Sequence, residues 1–168
     1  MNKALLVIDV QEVNLGENHH RIFDYDRELV CRINGIIDEN AGNLTVYVYN
    51  YTPKNFINKF SPVKCYENTP EAAPAKALKI VSQYSFGKYA GNAFTNPELD
   101  KLLREKEIDT VEIVGVDGGA CVPLTALGAL ERGYTVIVNE EGIGTFKYYA
   151  GRKKKFDEKL KHLGAEYK

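Results

Sequence analysis

The stretch TVEIVGVDGGACVPLTALGALERG, residues 110–133, decides the fold. It opens with an apolar, β-branched run, breaks at a glycine-rich turn, and continues as an alanine- and leucine-rich segment stopped by Gly133. That order predicts a strand over 110–116, a tight turn, and a helix over 121–132. The turn delivers Cys121 to the first position of the helix. A thiol there faces unpaired backbone N–H groups and the positive end of the helix dipole, and both favour thiolate. The position therefore predicts a nucleophile with a lowered pKa. The competing reading is a small buried side chain, since free cysteine is among the most buried residue types. Local features alone leave the two open.

Outward from this unit the alternation repeats. Residues 4–10 form an apolar run broken only by Asp9, the pattern of a central parallel strand covered on both faces. Asp24 or Asp26 can cap a helix running to about residue 41, with Leu29, Val30, Ile33, Ile36 and Ile37 at helical spacing and Asn40 and Gly42 closing it. Residues 44–49 read as a second strand, residues 50–70 as loop and residues 77–81 as a short strand. Asn96 and Pro97 start a helix to about residue 107, and residues 134–138 form the strand after Gly133. Residues 146–163 form a basic helix ending at Gly164, before an edge strand over 165–167. Strands and helices in alternation predict an α/β, three-layer α-β-α fold: a doubly wound, mostly parallel sheet of about six strands in one domain, residues 1–168. Sites in such folds lie beyond the carboxyl ends of the strands. That rule puts Asp9 and Cys121 on one rim.

At 168 residues the chain can bury a proper core without staples. Lys and Arg (22) nearly balance Asp and Glu (23), for a formal net charge of −1. No overall field draws such a chain to nucleic acid or to an anionic membrane, so a small molecule is the expected partner. Cys31, Cys65 and Cys121 are widely spaced and include no CxxC pair, which argues against a disulfide framework or structural zinc and fits a reducing cytoplasm. The opening ALLVIDV lacks the apolar length and cleavage site of a leader, and no later run reaches the ~18 apolar residues of a membrane span. The sequence thus predicts a soluble, untargeted protein.

Asp9 interrupts an apolar strand, where an unpaired carboxylate is costly, and it reads as functional, with capping of the next turn as the alternative. Lys88, in the loop YSFGKYAGNAF, reads alone as a surface lysine. Beside a thiolate and a carboxylate it would stabilise the first and keep the second ionised. Lys79 is its rival. The GVDGG turn at 115–119 lacks GxGxxG spacing, so no nucleotide cofactor is expected. Its N–H groups can instead form an oxyanion hole for an adduct on Cys121, and a tight turn needing positive φ is compatible with that. His19 and His20 read as a solvated loop rather than a metal pair, and residues 152–155 as a solvated helix face. Tyr49, Tyr51, Phe56, Phe60, Tyr84, Phe86, Tyr89 and Phe94 can wall a pocket for a planar or small acyl substrate, or fill the core instead.

Three ordered blocks resemble the isochorismatase-like cysteine hydrolase superfamily, which includes nicotinamidases and related amidohydrolases: LLVIDVQ, KYAGNAF, and IVGV running through DGGACV to TALGALERGYTVIV. The likeness spans nearly the whole chain. It implies Asp9 as acid and base, Lys88 six residues before Phe94, and Cys121 as nucleophile, with Gln11 following the first strand. It also implies oxyanion donors at the backbone N–H groups of Cys121 and Asp117, with a cis peptide between Val116 and Asp117. Gln11, Tyr51, Phe94 and Gly118 are the candidate pocket residues. The reaction implied is hydrolysis of a C–N bond in a small amide or related substrate through a thioester, by a dimer or tetramer of identical chains.

The chain departs from the family pattern at two places. Nicotinamidases carry an Asp-x-His metal motif after the second strand, and that register reads Asn50-Tyr51-Thr52 here, so no metal is expected. The Thr and the acidic residue that often precede the nucleophile are Gly118 and Gly119, which predicts a pocket floor stripped of side chains. Two other readings stay open: a catalytically retired binding or assembly subunit, and a vinyl-ether hydrolase like the isochorismatases proper.

Overall fold

The apolar run that opens the chain becomes one of the two central strands of a parallel sheet. A computed structural model describes residues 2–17, 19–55 and 63–168. Its strands are β1 (Lys3–Ile8), β2 (Leu44–Asn50), β3 (Ser85–Lys88), β4 (Thr110–Val116), β5 (Thr135–Gly144) and β6 (Glu166–Tyr167). They lie in the order β3-β2-β1-β4-β5-β6, every pair parallel. The helices are α1 (Glu12–Leu15), α2 (Leu29–Glu39), α3 (Pro97–Glu105), α4 (Cys121–Leu130) and α5 (Ala150–His162). The sheet order reverses direction between β1 and β4, and at such a switch point the loops diverge and leave a crevice.

Both faces of the sheet are covered, as the unbroken apolar strands require. On one face the α2 stripe Leu29, Val30, Ile33, Ile36 and Ile37 packs on Leu5, Val7, Tyr47, Val114 and Val116. On the other, Leu99 and Leu103 of α3, Val122 and Ala126 of α4, and Leu160 of α5 pack on Leu6, Ile8, Val48 and Ile113. Asn96 caps α3 by accepting from Glu98 N, with Pro97 at the first helical position.

Several boundaries differ from the sequence reading, and the helix expected over 146–163 begins at Ala150, behind a separate turn at Lys147–Tyr149. Residues 77–81 form no strand: the Tyr47 hydroxyl donates to Lys79 O at 2.8 Å and accepts from Val81 N at 3.0 Å, so a side chain takes the place of a ladder. The strand is Ser85–Lys88, and Lys88 ends it opposite Asn50 rather than lying in a loop. Helix α2 starts at Leu29, because Asp26 accepts from Glu28 N and closes a separate turn ahead of it. Strand β5 continues through polar residues to Gly144, past a register shift between Ile113 and Gly115 on β4 that alternation cannot signal.

Candidate active site

Four strand ends and one helix start converge at the switch point. Asp9 is the first residue past β1 and holds φ of +55°, a left-handed conformation rare for a non-glycine residue. Its N–H donates to Val48 O at 2.8 Å, and its carbonyl accepts from Gln11 N at 2.9 Å and Asn14 Nδ2 at 2.8 Å. Asn50 and Lys88 close β2 and β3 in register. Lys88 Nζ reaches Asp9 Oδ2 at 2.9 Å, Asn50 Oδ1 at 3.2 Å and Cys121 Sγ at 3.3 Å. The Lys88 side chain has no exposed surface, whereas Lys79 is exposed and paired with Asp38. The structure thus brings together the three residues expected at the site and leaves Lys79 outside it.

Burial dominates the electrostatics. It raises the Asp9 carboxyl above the ordinary carboxylate range, with the Lys88 charge opposing. It works against the Lys88 ammonium, but the charges of Asp9 and Cys121 outweigh it and hold Lys88 more firmly protonated than a free lysine. Burial and then the Asp9 charge push the Cys121 thiol up to about 12, against Lys88. This direction is opposite to the lowered thiol pKa expected from the helix N-terminus: desolvation and the Asp9 carboxylate push the thiol up. Asp9 Oδ1 is buried and accepts no hydrogen bond among the described residues.

The nucleophile turn is anchored on several sides. The Val116–Asp117 peptide is cis. The Asp117 carbonyl accepts from Ala120 N and Val122 N, and Gly118 N donates to Gly144 O. Among the described residues, neither Asp117 N nor Cys121 N donates to a protein acceptor. The two glycines do not strip the pocket floor as expected. A Cβ on Gly118 would strike Thr145 Oγ1 and meet Ile143 Cγ2 at 2.8 Å, and one on Gly119 would meet Tyr149 at 2.7 Å, so both positions face packed neighbours.

A cavity of about 330 Å³ opens over Cys121, with Asp9, Asn14, Asn50, Cys65 and Asp117 on its wall and Phe23, Tyr25 and Tyr149 as its aromatic side. Gln11 lines it, but its amide is taken up locally: Oε1 accepts from Asn50 N and Nε2 donates to Ala72 O. The other pocket candidates lie elsewhere. Tyr51 covers Gly87 and packs on Tyr89, and Phe94 is core, stacked on Tyr134 at 5.8 Å. Gly118 presents no side chain to the cavity. Tyr49 is core, Tyr84 and Phe86 pack against the core, Tyr89 is exposed, and Phe56 and Phe60 lie outside the described residues. The sequence reading missed Asn14, Phe23, Tyr25 and Tyr149. Of these only Asn14 carried a signal, lying three residues past Gln11 on the same short turn.

The Asn50 and Thr52 positions do not fit a metal. Asn50 Oδ1 accepts from Lys88, and Thr52 Oγ1 accepts from Cys65 N at 3.0 Å. Neither is a carboxylate or imidazole, and each oxygen already has a donor. Among the described residues no group of three or more His, Cys, Asp or Glu side chains is placed to hold an ion. His19 and His20 bond to their own loop instead.

The doubly wound parallel sheet thus carries a carboxylate, a lysine and a cysteine in mutual contact at its switch point. Residues 3–166 match the family model described as "Isochorismatase domain", and the chain belongs to that family. Its fold matches a zinc-bound pyrazinamidase of Pyrococcus horikoshii with a TM-score of 0.85 at 23% identity, covering 100% of this chain and 99% of that one. An N-carbamoylsarcosine amidase from Thermoplasma acidophilum superposes with a TM-score of 0.82 at 25% identity, covering 100% and 96%. An isochorismatase family protein of Bacillus subtilis (strain 168) is 30% identical over 63 residues, which is 38% of this chain and 34% of that relative. The aligned stretch thus spans about a third of the relative's length.

Proposed function

We propose that the protein is a metal-independent cysteine hydrolase that cleaves a C–N bond in a small amide or related substrate through a thioester. The observation that carries this reading is the contact of the buried Lys88 Nζ with both Asp9 Oδ2 and Cys121 Sγ. Asp9 Oδ1, buried without a donor, takes the thiol proton as Cys121 Sγ forms a bond to the substrate carbonyl carbon. Lys88 keeps the paired charges of the site balanced throughout. The unpaired N–H groups of Asp117 and Cys121 stabilise the oxyanion that forms. The C–N bond then breaks and the proton on Asp9 passes to the leaving nitrogen. Asp9 next takes a proton from water, whose oxygen attacks the thioester; the C–S bond breaks to release the acid, and the proton on Asp9 returns to Cys121 Sγ. Proton transfer between Cys121 and Asp9 moves the negative charge from one to the other without adding a charge to the site.

The aromatic side formed by Phe23, Tyr25 and Tyr149 suits a planar or small acyl group. A homo-oligomer, dimer or tetramer, belongs to the same reading; the exposed neighbours Ile80 and Val81 offer apolar contact surface, and sedimentation equilibrium tests it. A cytoplasmic location is supported by three free cysteines. The deciding experiment is intact-mass spectrometry of the protein with a panel of small amides, comparing wild type with Asp9→Asn. An acyl mass increment on Cys121 is expected, absent when Cys121 is replaced by Ala. Turnover of a vinyl ether with no adduct on Cys121 would overturn the thioester route.

A further inference from the structure

Asp117 carries a buried carboxylate, and among the described residues its backbone N–H, beside Cys121, donates to no protein acceptor. Three donors from three separate segments converge on it. Gly119 N, from the nucleophile turn, lies at 2.6 Å from Oδ1; Phe146 N, from the connection after β5, at 2.6 Å from Oδ2; and the Tyr25 hydroxyl, from the loop ahead of α2, at 3.1 Å from Oδ2. Asp117 is 7% exposed, so solvent does little to screen these bonds. Hydrogen bonds to an ionised acceptor are roughly twice as strong as neutral ones. The same side chain therefore ties the turn to the aromatic side of the cavity and to the end of the sheet.

We propose that the Asp117 side chain is a positioning residue, which fixes the 117–121 turn so that the backbone N–H groups of Asp117 and Cys121 converge on one substrate oxygen. The inference rests on the reading of Cys121 as an acyl-accepting nucleophile. A carboxylate suits the task because both its oxygens accept and neither donates. An amide in its place must turn an NH₂ toward either Gly119 N or the Phe146 N and Tyr25 pair, leaving a buried N–H without an acceptor. Oxyanion donors are sensitive to position, and a displacement of about 1 Å costs on the order of 10²-fold in rate.

Two small probes separate this role from general damage. Acylation by p-nitrophenyl acetate joins Cys121 Sγ to the acetyl carbon, expels p-nitrophenolate, sends the thiol proton to Asp9 and passes through an oxyanion. Alkylation by iodoacetamide joins Sγ to the methylene carbon, expels iodide, loses the same proton and forms no oxyanion. In Asp117→Asn, acylation of Cys121 is expected to fall about 10²-fold while alkylation stays within about threefold, because one lost donor geometry affects only the oxyanion step. Equal loss of both reactions, or undiminished acylation, overturns the proposal. Should that variant fail to fold, Tyr25→Phe keeps the ring and removes one donor. Its acylation is expected to fall severalfold with alkylation unchanged, and undiminished acylation or an equal loss of both overturns the proposal there as well. A wild-type protein alkylated at Cys121 but never acylated there overturns the nucleophile reading itself, and the positioning role with it.

Discussion

Lys88 is a lysine with no exposed side-chain surface, a state that persists only when charge partners replace the lost water. Asp9 supplies the opposite charge, Asn50 an acceptor, and Cys121 a polarisable third neighbour. Replacing Lys88 by Met strands the Asp9 carboxylate, and breaking a buried pair in this way costs about 3–5 kcal/mol. Asp9, already raised by burial, then rises further in the folded state and stays near its ordinary value in the unfolded chain. Stability of such a group is present at low pH and lost as pH rises through the folded-state pKa. The deficit of Lys88→Met against wild type, measured by urea unfolding, is therefore expected to shrink from pH 8 to pH 5; a pH-independent deficit would contradict the pairing. Cys121 makes a second prediction. In the proposed mechanism its thiol, pushed up to about 12, gives its proton to Asp9, whereas Cys65, pushed up to about 11 chiefly by burial, is held between Gln11 and the Glu71 carbonyl. Asp9→Asn is expected to slow iodoacetamide labelling of Cys121 at least tenfold and leave the exposed Cys31 unchanged, read by peptide mass spectrometry. A positioned general base contributes about 10²–10⁴-fold, which outweighs the fall in the thiol pKa that removing the Asp9 charge brings. Unchanged Cys121 labelling would remove Asp9 from the role of base.

At the scale of elements, β4 must approach β1 closely where the two strands deliver Cys121 and Asp9. Gly115 makes that approach possible: its φ is +118°, and a Cβ there would collide with the Ile8 carbonyl and lie 2.7 Å from Ile8 N. Gly115→Ala is expected to destabilise by at least about 2 kcal/mol, from a strained φ and a backbone clash together. Thermal unfolding checks it, and a variant as stable as wild type would mean that the strands can separate without cost. The elements most legible in the sequence were those whose burial pattern is local. The α2 stripe from Leu29 to Ile37 and the β4-turn-α4 unit follow from period and turn chemistry alone. Strand β3 was not legible, because its four residues carry no alternation of their own and include Gly87, where the Tyr51 ring leaves no room for a side chain. Its register comes from β2, a partner more than thirty residues away. The same limit explains the cavity. Asp9, Lys88 and Cys121 sit at strand ends and a helix start, which the doubly wound rule places on one rim. Tyr25 and Tyr149 reach that rim from connections whose course depends on packing, and no spacing joins them.

Across the whole molecule, buried charge is concentrated at the two poles of the central β1–β4 pair. Asp9 and Lys88 occupy the carboxyl pole; toward the amino pole Glu112 of β4, with no exposed side-chain surface, gathers Lys3 at 2.7 Å, Lys168 at 2.8 Å and Asn139 at 2.8 Å. Those donors come from β1, from the chain beyond β6 and from β5, so one carboxylate binds the first and last described segments to the middle of the sheet. Burial by itself would raise its pKa, but the hydrogen bonds from Lys168, Lys3 and Asn139 prevail and lower it to about 2. A folded-state pKa below the unfolded value of about 4.3 gives stability that is full above that value and is lost as pH falls toward the folded one. The difference is worth at most about 3 kcal/mol, since one unit corresponds to about 1.4 kcal/mol. Glu112→Gln retains the shape and one acceptor but not the charge, so it is expected to be about 2–3 kcal/mol less stable than wild type at pH 7. That gap should narrow progressively between about pH 4.3 and pH 2, as wild type protonates Glu112 and comes to resemble the variant. Urea unfolding of both proteins across this range reads the gap directly while other carboxylates, common to the two, cancel. A gap that stays constant down to pH 2 would show that the amino-pole cluster holds the sheet through packing and neutral hydrogen bonds rather than through its charge.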